Sequence, residues 1–227
     1  MVEPADATRR DFDAIALALE GARADDRLRP FERALLSYLP ARCGRVLEVG
    51  CGHGAITRHV APRAESVLAL DLSPEMVRVA RKLSAGHANI DYRVADVTTA
   101  DLPEAAFDVV FSATALHHVP LEPTVRRLVR ALRPGGWLAI QDLVTRREPR
   151  YLPLNALAFA VQHGGRLLGG RPRNHLLSRL YERHSAGEAY LRPREVAPAY
   201  GELLPGARVV HHLEWRYTVI WQRPAAS

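Results

Sequence analysis

Lysine is nearly missing from this 227-residue chain: Lys82 is the single example, so no lysine-rich tail or patch exists to track a polyanion. The basic excess, a formal net charge of +6 with a pI near 9.8, comes from arginines spread along the sequence. Spread charge of that kind describes a solvated surface with room for a local anion site, and by itself does not imply nucleic acid. Cysteine is scarce as well. A disulfide between Cys43 and Cys51 would strain the backbone, because Cys51 lies inside a glycine turn. Reduced thiols and a cytoplasmic location are therefore expected. No stretch reaches the roughly 18 continuous apolar residues of a membrane span, and Met1 to Asp13 has no apolar run of signal-peptide type. Internal repeats and low-complexity segments are also lacking.

What is present is an ordinary globular composition, 48% hydrophobic and 25% charged, in a length that suits one α/β domain better than two. Phe12, Ile15, Ala16 and Leu19 recur at helical spacing, and Phe31, Leu35, Leu36 and Leu39 follow Pro30 in the same way. Two N-terminal helices are thus expected within residues 1–44. Over residues 45–143 short apolar strands then alternate with helices: strands at 45–49, 66–70, 89–94, 107–111 and 137–140, with Arg133 to Gly136 read as a turn before the last. Ser73 suits an N-cap, with Pro74 at the first helical position. Strand and helix in alternation imply a parallel sheet covered on both faces.

Beyond Asp142 the grammar changes. Residues 144–204 hold an apolar helix at 151–168, glycine pairs and many Arg, His and Tyr residues, which reads as an inserted helical lid plus a last helix. Tyr151, His163, Arg166, Arg171, Arg173, His175, Arg179, Tyr181, Arg183 and His184 make it able to close over an anionic or aromatic partner, and helical spacing gathers Leu177, Leu180, Tyr181 and His184 on one face. Residues 205–227 return to strands as a hairpin, an antiparallel edge for the sheet.

Chemistry enters at Val46-Leu-Glu-Val-Gly-Cys-Gly-His-Gly54, where a strand runs straight into alternate glycines. Such a turn lets the backbone approach a ligand with no Cβ atoms in the way. Gly50 and Gly52 also satisfy the loose dinucleotide fingerprint, and Asp71 follows at about the 20-residue distance of its ribose-binding acid. An acid there suits the ribose of NAD or of S-adenosylmethionine equally. Glu48 separates the two, because a carboxylate two residues before the first glycine repels a pyrophosphate but attracts the cationic amine of a methionine chain.

With those residues, and with Leu70-Asp-Leu-Ser-Pro-Glu-Met76, Ala95-Asp96, Phe107-Asp-Val-Val-Phe111, Ala115-Leu-His-His-Val119 and Leu132-Arg-Pro-Gly-Gly136 in the same order, the chain resembles the class I S-adenosylmethionine-dependent methyltransferases. The likeness is to the small-molecule group that includes the ubiquinone and menaquinone biosynthesis enzymes, and it spans about residues 45–143. It implies a Rossmann-like, doubly wound, seven-stranded and mostly parallel sheet with an antiparallel C-terminal hairpin. It also implies that Glu48, Gly50, Cys51 and Gly52 surround the methionyl part of the cofactor, with Asp71 on the ribose, Leu72 and Met76 beside the adenine, and Asp96 and Val97 at its amine edge. Ser112 to Val119 is then expected beside the sulfonium. His117 is favoured as general base or acceptor-orienting group and His118 is a second candidate, since adjacent side chains do not readily point to one place.

The acceptor expected is a small molecule, an anionic or aromatic one being what the lid residues suit, methylated on oxygen, nitrogen or activated carbon. RNA or protein substrates are the first alternative. No Asn/Asp-Pro-Pro-Tyr/Phe motif follows the fourth strand to grip a flipped base, and no RNA-binding module is appended. A catalytically silent or non-methylating binder of the cofactor is the second, although it would be expected to lose Glu48, Asp71 and Asp96, all of which are present. A NAD-dependent oxidoreductase is the enzyme of a different class. No residue set is singled out for a metal.

Overall fold

The computed structural model describes residues 5–21, 27–145, 148–167 and 175–225. Seven strands form one sheet in the order β3-β2-β1-β4-β5-β7-β6. They are β1 Gly44–Val49, β2 Ala64–Asp71, β3 Ile90–Val94, β4 Phe107–Ala113, β5 Leu132–Leu143, β6 Arg208–His212 and β7 Arg216–Gln222. The first five run parallel, and β7 joins β5 and β6 antiparallel. Strand order reverses between β1 and β4, the place where open α/β sheets leave a crevice at their carboxyl ends.

Alternate residues of the strands feed two cores, as the period-two geometry of a strand requires. Val46, Val109, Phe111 and Ala139 pack beneath helices α2 (Pro30–Ser37), α3 (Ala55–Val60) and α4 (Pro74–Leu83), through Leu35, Ile56, Val60, Val77 and Ala80. Leu47, Val110, Leu138 and Ile140 face the opposite layer, α5 (Leu121–Ala131) and α8 (Pro193–Gly201), through Val125, Leu128, Val196 and Tyr200. Helices on both faces explain why β1 is buried continuously from Val46 to Val49 and does not alternate.

Helix α1 (Ala5–Gly21) lies on α4 and on α7 (His175–Ser185), where Ile15, Ala16, Met76 and Val79 are buried against Leu177 and Leu180. Ser73 caps α4 by accepting from the Met76 backbone amide at 3.0 Å, and its hydroxyl donates to Asp13 of α1 at 2.5 Å. The N-terminal helix and the lid helix are thereby fastened over the carboxyl edge of the sheet. Between α7 and α8 the chain is stitched to the end of β5 by a bridge from Leu191 to Val144, with the Thr145 amide donating to Leu191 at 2.9 Å. Helix α6 (Leu152–Leu167) carries exposed Leu152, Leu157, Phe159 and Val161.

Two local readings need correction. Arg133 to Gly136 does not end before the fifth strand but lies inside β5, where the register jumps so that Leu132 opposes Phe107 and Trp137 opposes Val109. Gly135, at a φ of 75°, absorbs the extra residues as a bulge. Asn89 stands outside β3, because its amide group instead donates to the carbonyls of Ala61 and Ala64. Arg171 and Arg173 lie outside the described residues.

Candidate active site

The glycine elbow after β1 is held by its neighbours on both sides. The amides of Gly50 and Cys51 both donate to the Leu70 carbonyl, at 2.8 and 3.0 Å. A Cβ on Gly50 would fall 2.3 Å from the Ala115 methyl, so glycine is what lets the loop after β4 nest against the elbow. At Gly52 the same hypothetical atom meets nothing within 4 Å, because this residue borders open space. Both have positive φ, 74° and 52°.

That space is a cavity of about 470 Å³, within the usual range for a small-molecule site. Glu48, Gly50, Cys51, Gly52, Asp71, Leu72, Met76, Asp96 and Val97 all border it. So do His117 and His118. Ser112 does not: it is fully buried, and its hydroxyl donates to the Val49 carbonyl at 2.9 Å, locking β4 to β1 below the cavity floor.

Glu48 is 1% exposed, and its Oε2 has no hydrogen-bond partner. Burial pushes its pKa up to about 8, with the charge of Asp71 acting in the same direction. A buried, unsatisfied carboxyl beside a cavity is costly unless a ligand supplies a donor or a positive charge, and an ammonium group meets that need. Asp71 braces the elbow: Oδ2 accepts from the Gly52 amide at 2.7 Å and Oδ1 from the Ser73 amide at 2.9 Å. Each oxygen keeps a lone pair for a ribose hydroxyl. Burial raises its pKa to about 6 against those two bonds. Asp96 Oδ1 is fixed by the amide and hydroxyl of Thr98, at 2.8 and 2.7 Å. Burial pushes the Cys51 thiol well up, which makes it inert lining. An orphaned acid and a side-chain-free cradle fit the methionyl end of S-adenosylmethionine.

The other end of the cavity is built from distant segments. After β4, Thr114 adopts a φ of 59°, uncommon for a β-branched residue, and a short 3₁₀ turn then presents His117 and His118. Asp142, 1% exposed at the end of β5, accepts from the His117 backbone amide at 2.9 Å and contacts its Nδ1 at 2.5 Å. That keeps a proton on Nδ1 and turns Nε2 toward Glu188, 3.3 Å away. His118 Nδ1 lies 3.2 Å from the same carboxylate oxygen, so both histidines converge on it, contrary to the expectation from their adjacency. His184 of α7 joins them at 2.9 Å and reaches Asp11 at 3.1 Å through its other nitrogen. Burial opposes the charge on His117, but Asp142 and Glu188 outweigh it and raise the pKa to about 9. Burial and the charge on His117 lower His118 to about 4.

Arg216, the first residue of β7, closes this end. Its guanidinium stacks 3.7 Å from the centroid of the Phe31 ring and donates to Thr114 Oγ1 at 2.8 Å. Burial and the neighbouring Arg29 lower its pKa to about 10. Asp142, Glu188, Arg216 and Tyr190, whose ring meets that of His117 edge-on at 5.1 Å, were not legible as site residues. Of these, only Asp142 carried a signal, an acid at the carboxyl end of a strand beside β4. Tyr181 and His184 of the expected lid do border the cavity.

A cavity at the switch point of a 3-2-1-4-5-7-6 sheet, with an acid before the glycines and another at the end of the second strand, has the arrangement expected of a nucleoside-cofactor enzyme of Rossmann-like architecture. Comparison with known proteins narrows this. A family model described as a methyltransferase domain matches residues 47–140. An uncharacterized methyltransferase of Mycobacterium tuberculosis is 31% identical over 198 residues, 86% of this chain and 94% of that protein. A malonyl-[acyl-carrier protein] O-methyltransferase of Enterobacter lignolyticus is 36% identical over 149 residues, 65% of this chain but 58% of the relative. A trans-aconitate 2-methyltransferase of M. tuberculosis is 37% identical over 151 residues, 63% and 52% of the two chains.

Among solved structures, a phosphoethanolamine N-methyltransferase of Haemonchus contortus bound to S-adenosylhomocysteine superposes with a TM-score of 0.67 at 17% identity, covering 93% of this chain and 57% of that one. The [4+2]-cyclase SpnF superposes with a TM-score of 0.63, also at 17% identity, covering 99% and 98%. These two speak for the fold alone. The chain belongs to the S-adenosylmethionine-dependent methyltransferases, and S-adenosylmethionine is its methyl donor. No helix among the described residues is long and apolar enough to cross a membrane.

Proposed function

We propose that this methyltransferase acts on the carboxylate of a small acid, forming a methyl ester. The observation that carries the reading is Arg216: a half-buried cation bordering the cavity, whose guanidinium contacts the Phe31 ring and the Thr114 hydroxyl while Asp142, Glu214 and Glu32 act on it only at a distance. A desolvated guanidinium beside a second arginine, Arg29, calls for an anion to complete it. Two relatives named above are named for malonyl and trans-aconitate acceptors, both acids.

When bound, the donor supplies a methyl group on a sulfonium, an already activated leaving group. Glu48 holds the donor's amine, Asp71 its ribose and Asp96 its adenine edge, while Leu72 and Met76 flank the base. Arg216 orients the acid. With the donor bound, the carboxylate oxygen held by Arg216 would accept the methyl group, and the bond electrons would leave with sulfur. No proton moves, so a carboxylate needs no general base. Catalysis is then alignment and exclusion of water, and His117, fixed by Asp142, positions the acceptor. With Cys43 and Cys51 both free and buried, we read the compartment as cytoplasmic.

The test is transfer of labelled methyl groups to a panel holding a dicarboxylate, an acyl thioester of one, a catechol, an amine and an RNA oligonucleotide. Base-labile label on the acids is the expected result. Label on the catechol, amine or RNA with none on the acids overturns the carboxylate reading, and calorimetry that shows NAD bound in place of S-adenosylhomocysteine overturns the assignment of the elbow.

A further inference from the structure

His117, His118 and Glu188 offer one ligand atom each, and these three atoms all lie within 4.8 Å of one another. We propose that they form a binding site for one divalent transition-metal ion, of the zinc or iron(II) type, at the acceptor end of the cavity. The proposal deepens the reading of that end as the acceptor pocket and rests on it only for what the ion would hold.

Three observations carry it. The first is spacing. His117 Nε2 and His118 Nδ1 stand 3.3 and 3.2 Å from Glu188 Oε1, and two ligands about 2.05 Å from a tetrahedral ion are about 3.3 Å apart. The second is convergence. Glu188 is 5% exposed, and three imidazole nitrogens, from His117, His118 and His184, surround its Oε1 within 3.3 Å. Three nitrogens converging on one carboxylate oxygen exceed the two lone pairs it can offer, and a shared ion is what such a convergence accommodates. The third is the outer layer. His117 presents Nε2 because Asp142 holds Nδ1, the carboxylate–histidine support that metal ligands commonly have, and His184, itself held by Asp11, backs Glu188.

Two histidines and one carboxylate leave coordination positions open. His117, His118 and Glu188 all border the cavity, so those positions face the space where the acceptor must lie. The chemistry supplied is that of a Lewis acid that binds the acceptor's oxygen and fixes its approach to the methyl group. The contact between His117 and the acceptor then runs through the ion.

The experiment uses untagged full-length protein stripped with chelator and titrated with cobalt(II), followed by visible absorption. Zinc competition and elemental analysis of protein purified without chelator accompany it. One cobalt per chain with a ligand-field band, displaced by zinc, is expected. Glu188→Gln and His118→Ala should each weaken that binding tenfold or more while circular dichroism stays unchanged. Stripped wild-type protein that takes up neither ion overturns the proposal, and so does uptake that both variants retain. If one variant fails to fold, the other decides. S-adenosylhomocysteine binding, measured on the same samples, separates the two readings: its loss would count against the methyltransferase site and leave the metal result standing.

Discussion

The two ends of the cavity are built by opposite strategies. The donor end comes from the ends of three consecutive strands, β1, β2 and β3, each with its functional residue within a few positions of the strand end. The acceptor end is gathered from the turn after β4, the tip of β5, the segment between α7 and α8, and the start of β7. A site made of local turns is fixed as soon as its strands pair. A site made of remote segments exists only when lid and hairpin have docked, and it is free to vary without disturbing the sheet.

Four expected outcomes sharpen that contrast. The largest concerns Glu48. Glu48→Gln should weaken S-adenosylhomocysteine binding by about a hundredfold in calorimetry, since a charged hydrogen bond in a dry site is lost. The same variant should melt higher than wild type at pH 8 without cofactor. The carboxyl's folded-state pKa of about 8 lies above its ordinary 4.5, so folding favours the protonated form and wild-type stability declines as pH rises between those values. A variant that binds the product normally would remove Glu48 from the donor site.

Next comes pH itself. The amine requires an ionised Glu48, so affinity for S-adenosylhomocysteine should rise by up to about tenfold per pH unit toward pH 8, with proton uptake by the buffer. Asp71, raised to about 6, should steepen the loss at lower pH. A flat profile from pH 6 to 8 contradicts the burial of an unpaired acid. Third, Arg216→Met should raise the acceptor KM by about tenfold and leave donor affinity unchanged. Equal loss at both ends would show that the two regions are not separable. The smallest effect is set by the elbow glycines. Gly50→Ala should cost about 2 kcal/mol of stability, through the Ala115 contact and its φ. Gly52→Ala should cost about 1 kcal/mol or less in thermal unfolding, yet still impair donor binding.

Glu48, Gly50, Gly52, Asp71 and Asp96 were readable because each sits at a fixed offset from an apolar run that announces a strand. Asp142 was visible only as a strand-end acid, because its role depends on β5 lying beside β4. Glu188 and Arg216 gave no signal: Glu188 has His184 four positions away, but its contacts with His117 and His118, like those of Arg216 with Phe31 and Thr114, join residues 70 or more positions apart. Ser112 shows the reverse error, a residue at the right offset whose hydroxyl is spent between two strands.

The amino-acid order by itself determined the strands and the helices that follow β1, β2 and β4, and with them the elbow and its two acids, because hydrophobic periodicity and glycine's backbone freedom act over a few residues. Only the packed structure decided that two adjacent histidines share one buried carboxylate and that an arginine from the final strand closes the cavity. Those contacts join segments far apart in the chain, and no local rule encodes which of them will meet.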